Sequence, residues 1–168
     1  MHLHAERGLT LAELLVAIAV LSIIATVGVP GYQRFTARNE VATEVLRLQT
    51  ALAMTRNTAI TRRTTVTLCP SVDLESCSVA AGWHNTLVIF EGRGEAGDPL
   101  LRSFGESRLV SLTYRNDNRP VRYTALGRSG GHNGTFRLCG RLETGAKVVV
   151  SNMGRVRSES EPSAACVE

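Results

Sequence analysis

Gly154-Arg155-Val156-Arg157 sets two guanidinium groups two residues apart, just after the apolar run Val148-Val149-Val150. In an extended chain such residues face the same way, about 6.5–7 Å apart along the strand. That step is comparable to the phosphate spacing along one nucleic-acid strand, so Arg155 and Arg157 could each hold a phosphate oxygen. Arginine suits this chemistry, because its planar fork of N–H donors matches phosphate oxygens. Gly154 removes a side chain beside them and is expected to allow close backbone approach. Arg128, Arg137 and Arg141 are further candidates if their strands lie alongside. Few aromatics accompany the arginines, so base stacking is not indicated. Contact would be with backbone phosphate, without sequence preference, weak for a single copy and raised by avidity.

No residue pattern points to catalysis. His2 and His4 stand at the N-terminus, and His84 and His132 fall in apparent loops without acidic neighbours in sequence. No serine lies in a Gly-x-Ser-x-Gly elbow. Ser129-Gly130-Gly131-His132 is not a phosphate loop, since no Gly-Lys-Ser/Thr follows. The expectation is therefore a non-enzyme without a cofactor or metal. Cys69, Cys77, Cys139 and Cys166 form an even set, which in an exported domain suggests disulfides. Of three possible pairings, Cys69–Cys77 and Cys139–Cys166 are preferred. The first closes a short loop containing Pro70, and the second ties the C-terminal tail to a strand. The competing zinc reading is weaker, because the gap between Cys69 and Cys77 exceeds the spacing of zinc knuckles.

The elements that must position these residues follow from the periodicity. Val41, Val45, Leu48, Leu52 and Ala59 recur at mostly helical steps, with Arg34, Arg38, Glu44 and Arg47 on other faces. One long helix is expected from about Leu11 to about Thr61, weakened at Gly28, Pro30 and Gly31. Arg62-Arg63 suits its C-terminal dipole. Short strands follow at 64–69, 86–90, 109–114, 121–125, 135–139 and 147–151, bounded by Gly, Asn, Asp or Pro. Loops occupy 92–98 and 126–134, and Asn133-Gly134 is a turn pair before a strand. Trp83 is expected to be a core or interface anchor. The last eleven residues read as a loose acidic tail.

Net charge is +4, unevenly spread. Residues 31–63 carry +4, residues 64–101 carry −4, and residues 102–157 carry +8. The tail 158–168, with Glu159, Glu161 and Glu168, carries −3 and could screen the basic segment. Lys147 is the only lysine.

From Leu9 to Val29 the only polar side chains are Thr10, Glu13, Ser22 and Thr26. About twenty apolar residues in a helix span a bilayer's hydrocarbon core. An ordinary secretory signal has a shorter apolar core and a small-x-small site after it. A carboxylate in such a span costs roughly 2.5–3.5 kcal/mol, so Glu13 needs a partner.

Arg7-Gly8-Leu9-Thr10-Leu11-Ala12-Glu13-Leu14 resembles the start of the type IV prepilin class. That resemblance implies cleavage between Gly8 and Leu9 by a prepilin peptidase and N-methylation of Leu9. Glu13 becomes fifth in the mature chain, where it would pair with the cationic amine of its own or a neighbouring Leu9. Pro30 becomes twenty-second, where major pilins also carry a kinking proline; Leu9 departs from the family's commoner Phe. Val66-Thr67-Leu68-Cys69-Pro70, Cys77, Trp83, Val88-Ile89-Phe90-Glu91-Gly92 and Asn133 to Cys139 resemble the minor pilin and pseudopilin H group. The place of Gly154-Arg155-Val156-Arg157 after the expected last strand resembles that of the Gly-Arg-x-Arg motif of the FimT-type minor pilins, which bind DNA during natural transformation.

The implied fold is α+β and pilin-like, a long N-terminal helical spine packed on an antiparallel β-domain. Its expected parts are a cleaved leader (1–8), a transmembrane and assembly helix (9–30), an amphipathic continuation (31–63), a periplasmic β-domain (64–157) and the acidic tail (158–168). Arg7 keeps the N-terminus inside. The implied location is the inner membrane and then a pilus or pseudopilus that reaches the cell surface. Implied partners are other pilins, the peptidase, the inner membrane and DNA. Three functions remain open at this level: DNA capture for uptake, priming of pilus assembly, or membership of a type II secretion pseudopilus.

Overall fold

A computed structural model describes residues 10–115, 117–161 and 166 of the chain. Gly8, Leu9 and most of the C-terminal tail beyond Glu161 lie outside the described residues. Two compact units divide at Thr36 and Ala37.

In the first unit residues 11–36 are helical, and all of them but the half-buried Thr36 are exposed. Helix α1 runs Leu11–Ile23, a π-helical turn occupies Ile24–Gly28, and α2 runs Val29–Arg62 across the boundary into the second unit. Thr10 opens α1 with a capping box: its hydroxyl accepts the Glu13 N–H at 3.3 Å, and the Glu13 carboxylate accepts the Thr10 N–H at 2.9 Å. The irregularity precedes Pro30 instead of centring on it. Proline brings no N–H for the Thr26 carbonyl and crowds that oxygen with its ring. One wider turn, closed by the Val29 N–H on the Ile24 carbonyl, accommodates both effects. The helix is long and apolar enough to cross a membrane, with a mean hydropathy of 2.4 over its most apolar window and none of that window buried.

In the second unit α2 buries Ala37, Val41, Glu44, Leu48, Ala51, Leu52, Thr55 and Ala59. Glu44 departs from the expected polar face. Its carboxylate takes paired bonds from Arg47 (2.9 and 3.0 Å from Nε), and Arg47 also donates to the Gly105 carbonyl, so the buried charge is satisfied.

The β-domain comprises eight strands: β1 Val66–Pro70, β2 Leu87–Glu91, β3 Leu100–Phe104, β4 Ser111–Thr113, β5 Val121–Tyr123, β6 Gly134–Cys139, β7 Gly145–Val150 and β8 Val156–Glu161. They form two antiparallel four-stranded sheets, ordered β3-β2-β1-β5 and β4-β6-β7-β8. Leu48, Ala51, Leu52 and Ala59 of the helix share one core with Val66, Leu68, Leu87, Ile89, Val121 and Tyr123 of the first sheet. Leu112, Phe136, Leu138, Val148 and Val150 of the second complete it. Truncating a fully buried leucine there, such as Leu48, costs about 2–5 kcal/mol. Trp83 is buried edge-on against Tyr114 and Phe136, with ring centroids 5.1 and 4.9 Å away.

Strand β1 does not alternate as expected; it is buried on both faces. Its second face, with Cys69, Val88 and Phe90, is covered by Cys77 and Val79. A disulfide joins Cys69 to Cys77 and another joins Cys139 to Cys166, each with Cα atoms 5.6 Å apart.

Two strands stand where none was expected. β3 falls between the loop at 92–98 and the next expected strand, and β8 takes Ser158–Glu161 out of the supposed tail. Both are sheet edges with mostly exposed side chains, so neither carries the apolar alternation that marks a half-buried strand. The run 147–151 is thus the penultimate strand, and Gly154-Arg155-Val156-Arg157 belongs to the β7–β8 hairpin.

Candidate nucleic-acid interface

Beyond Val150 the chain turns through Ser151–Arg155 before β8. The Gly154 N–H donates to the Ser151 carbonyl at 2.8 Å, and the Ser151 N–H donates to the Arg155 carbonyl at 2.9 Å. The Ser151 hydroxyl accepts the Arg155 N–H at 3.0 Å. Gly154 is left-handed (φ +76°) and buried. A Cβ there would strike the Gly127 carbonyl and lie 3.1 Å from the Tyr123 ring. Its lack of a side chain therefore serves the packing of two turns, not the approach of a ligand.

Arg155 and Arg157 are exposed. With Val149, Ser151 and Val156 they line an open groove of about 390 Å³. Register places Arg157 opposite Val149, and Glu159 opposite Lys147, which is itself opposite Arg137. Even-numbered residues of β6 and β7 point into the core, so Arg137, Lys147, Arg157 and Glu159 share the outer face. Lys147 was missed in the sequence, although its place two residues before Val149 in an alternating strand was the available signal. The Glu159 carboxylate lies 3.1 Å from Lys147 Nζ and 3.2 Å from Arg157 Nε, so among the described side chains the expected screening acts through Glu159.

The other candidates separate. Arg128 is exposed, and the next residue, Ser129, bonds to the motif's turn through its N–H to the Asn152 carbonyl (3.1 Å) and its hydroxyl to the Ser151 carbonyl (3.0 Å). The Arg128 backbone therefore stands beside the motif's turn, though its side chain does not line the groove. Arg137 joins the site through the sheet register. Arg141 does not. It lies in the β6–β7 turn, at the opposite end of the hairpin, about 20 Å away along six strand residues. There its guanidinium grips Glu40 of α2, at 3.2 Å from Nε and 2.5 Å from a terminal nitrogen.

His132 is half-buried; its Nδ1–H donates to the Pro120 carbonyl at 2.8 Å, and Nε2 faces Arg122 at 3.5 Å. Burial, followed by the neighbouring Arg122, Arg119 and Arg115, holds its pKa below the usual value. Among the described residues no group of His, Cys, Asp and Glu has the geometry to hold a metal ion.

Residues 3–29 match the prokaryotic N-terminal methylation motif, and residues 44–154 match the family of type II transport protein GspH. A fimbrial protein of Pseudomonas aeruginosa is 42% identical over 50 residues, covering 28% of this chain and 32% of that protein. The type IV major pilin PilE1 of Neisseria gonorrhoeae is 44% identical over 41 residues, covering 24% of this chain and 25% of the pilin. The chain thus spans about a third or less of the curated relatives it matches. In fold it is similar to the type IV minor pilin FimU of Pseudomonas aeruginosa PAO1, with a TM-score of 0.56 and 24% identity over 77% of this chain and 94% of FimU. A methylation motif that takes in the apolar helix, a pilin-like fold behind it and a family match over about two thirds of the sequence make the chain a member of the GspH family of minor pilins and pseudopilins.

Proposed function

We propose that this chain is a minor type IV pilin that captures extracellular DNA on its β7–β8 hairpin for uptake in natural transformation. The observation that carries the reading is the pair Arg155 and Arg157, exposed at one groove beside Lys147, Arg137 and Arg128. Each guanidinium takes a phosphate oxygen, and the contact is blind to base sequence. The rest of the assignment follows the resemblance at the N-terminus. A prepilin peptidase cuts between Gly8 and Leu9, Leu9 is methylated, and residues 9–30 anchor the chain in the inner membrane. The β-domain (64–157) then lies in the periplasm until the subunit enters a filament with other pilins. The Thr10 N–H and hydroxyl both bond Glu13 Oε2. In the filament this carboxylate pairs with the N-terminal amine of its own or a neighbouring Leu9.

The test is DNA binding by the detergent-solubilised full chain, measured by anisotropy of a mixed-sequence duplex across salt concentrations. Affinity falls by about 0.9 log units per decade of salt for each phosphate neutralised. Changing Arg155 and Arg157 together to Gln flattens the slope by about two contacts. Absence of salt-sensitive binding by the unaltered protein overturns the reading. A second reading then takes its place, a subunit that primes pilus assembly or serves a secretion pseudopilus without binding DNA. The observation favouring it is Glu159, which already engages Arg157 and Lys147.

A further inference from the structure

We infer that the DNA footprint continues from Arg155 and Arg157 across the turn of residues 128–133 onto Arg119, so that the duplex backbone crosses this end of the domain instead of following β8. The inference rests on the DNA-capture reading and extends it to a residue outside the motif.

A chain of contacts ties the two arginines together. Arg119 donates to the Gly131 carbonyl at 3.3 Å. Two residues earlier, Ser129 is fixed to Asn152 and Ser151 by its backbone and its hydroxyl. Ser151 in turn accepts the Arg155 N–H. Arg119 and Arg155 therefore flank one turn, and that turn is low: its crest is Gly130-Gly131, exposed and without side chains. A Cβ on Gly131 would meet nothing closer than Arg119 itself, at 3.9 Å. At Gly130 the nearest side chain is that of Asn152, whose Oδ1 would lie 3.2 Å from an added Cβ, so a polyanion crossing the turn passes one short polar side chain.

Charge at the far side of the saddle is available. The Arg119 side chain is 55% exposed and contacts Asp117 at 3.4 Å. Asp117 is engaged more closely by Arg115, which makes paired bonds to it from Nε (2.9 and 3.1 Å) and a third at 2.5 Å. Two guanidinium groups thus share one carboxylate, with Arg115 the closer, which leaves the pair a net positive charge. A single strand following β8 would meet Glu159 immediately after Arg157. The crossing direction offers Arg128 and Arg119 instead.

The experiment compares salt slopes for the detergent-solubilised full chain with a 30-base-pair mixed-sequence duplex. Arg119→Gln is expected to flatten the slope by about one contact, about 0.9 log units per decade. The loss of affinity between 50 and 200 mM salt then shrinks about 3.5-fold relative to the unaltered protein. Arg119→Lys, which keeps the charge, retains the slope. Arg102→Gln, an equal charge change on the exposed edge strand β3, leaves it unchanged. Loosening of the turn alone would lower affinity equally at every salt concentration and leave the slope intact, which overturns the inference. An unchanged slope for Arg119→Gln, in a protein where Arg155→Gln and Arg157→Gln flatten theirs, also overturns it and leaves the capture reading standing. Absence of salt-sensitive binding by the unaltered protein removes both.

Discussion

Replacing Gly154 with alanine tests whether this glycine serves the fold or the ligand. Two costs arise. Forcing a residue with a Cβ into the left-handed region costs about 1–2 kcal/mol, and Gly154 has φ +76°. The added methyl also meets the Gly127 carbonyl, which is backbone and cannot rotate away. Overpacking of this kind costs about 1–3 kcal/mol more. The sum is about 2–5 kcal/mol, or a fall in Tm of roughly 8–20 °C for a domain of this size. Gly97 supplies the control, because it has φ +94° but open space around its Cα. Gly97→Ala isolates the conformational term, so the difference between the two variants measures the collision with Gly127. Fluorescence of the single tryptophan, Trp83, buried in the core, follows unfolding of the detergent-solubilised chain. If Gly154→Ala melts within about 2 °C of Gly97→Ala while losing DNA binding, the collision argument fails and the glycine belongs to the ligand.

Glu159→Gln removes the carboxylate that Arg157 and Lys147 share, so duplex affinity should rise and the salt slope should steepen by up to one contact; an unchanged titration would show that the ion pair does not compete with phosphate. His132 binds a proton less readily folded than unfolded, so its contribution to stability is complete above about pH 6.5 and is lost as pH falls through the folded value. Urea midpoints should therefore drop between pH 7.5 and pH 5, and His132→Gln, which keeps a donor for the Pro120 carbonyl, should reduce that drop. Mass spectrometry of filament-associated protein should find methylated Leu9 as its first residue, and an intact leader of residues 1–8 would defeat the processing assignment.

The helix was legible because its signal is local. Val41, Leu48, Leu52 and Ala59 repeat at helical steps and are all buried. The preferred cysteine pairs needed little more, since a closing loop and a tail tied to a strand are topological arguments. Glu44 was misplaced because a carboxylate reads as solvent-facing until its partner is known; that partner, Arg47, is itself held by the Gly105 carbonyl of a distant turn. Arg141 was grouped with the motif because charge in a sequence has no direction. The β6–β7 turn sends it to Glu40 instead.

The strand β8 is the larger lesson, because the residues that hid it also set the electrostatics of the site. Val-Arg-Ser-Glu-Ser-Glu has one apolar residue, so no hydrophobic period announces a strand. What makes it one is the edge of β7, whose backbone groups pair with it from Gly145↔Glu161 to Val150↔Val156. Alternating charge then suits the new edge, since charged side chains discourage further strand addition. Pairing has a second effect. The sequence divides into a basic segment ending at 157 and an acidic tail beginning at 158, as if the two charges were separate bodies. The β7–β8 register interleaves them, laying Glu159 across from Lys147 and beside Arg157. The hairpin therefore carries less free positive charge than residues 102–157 imply.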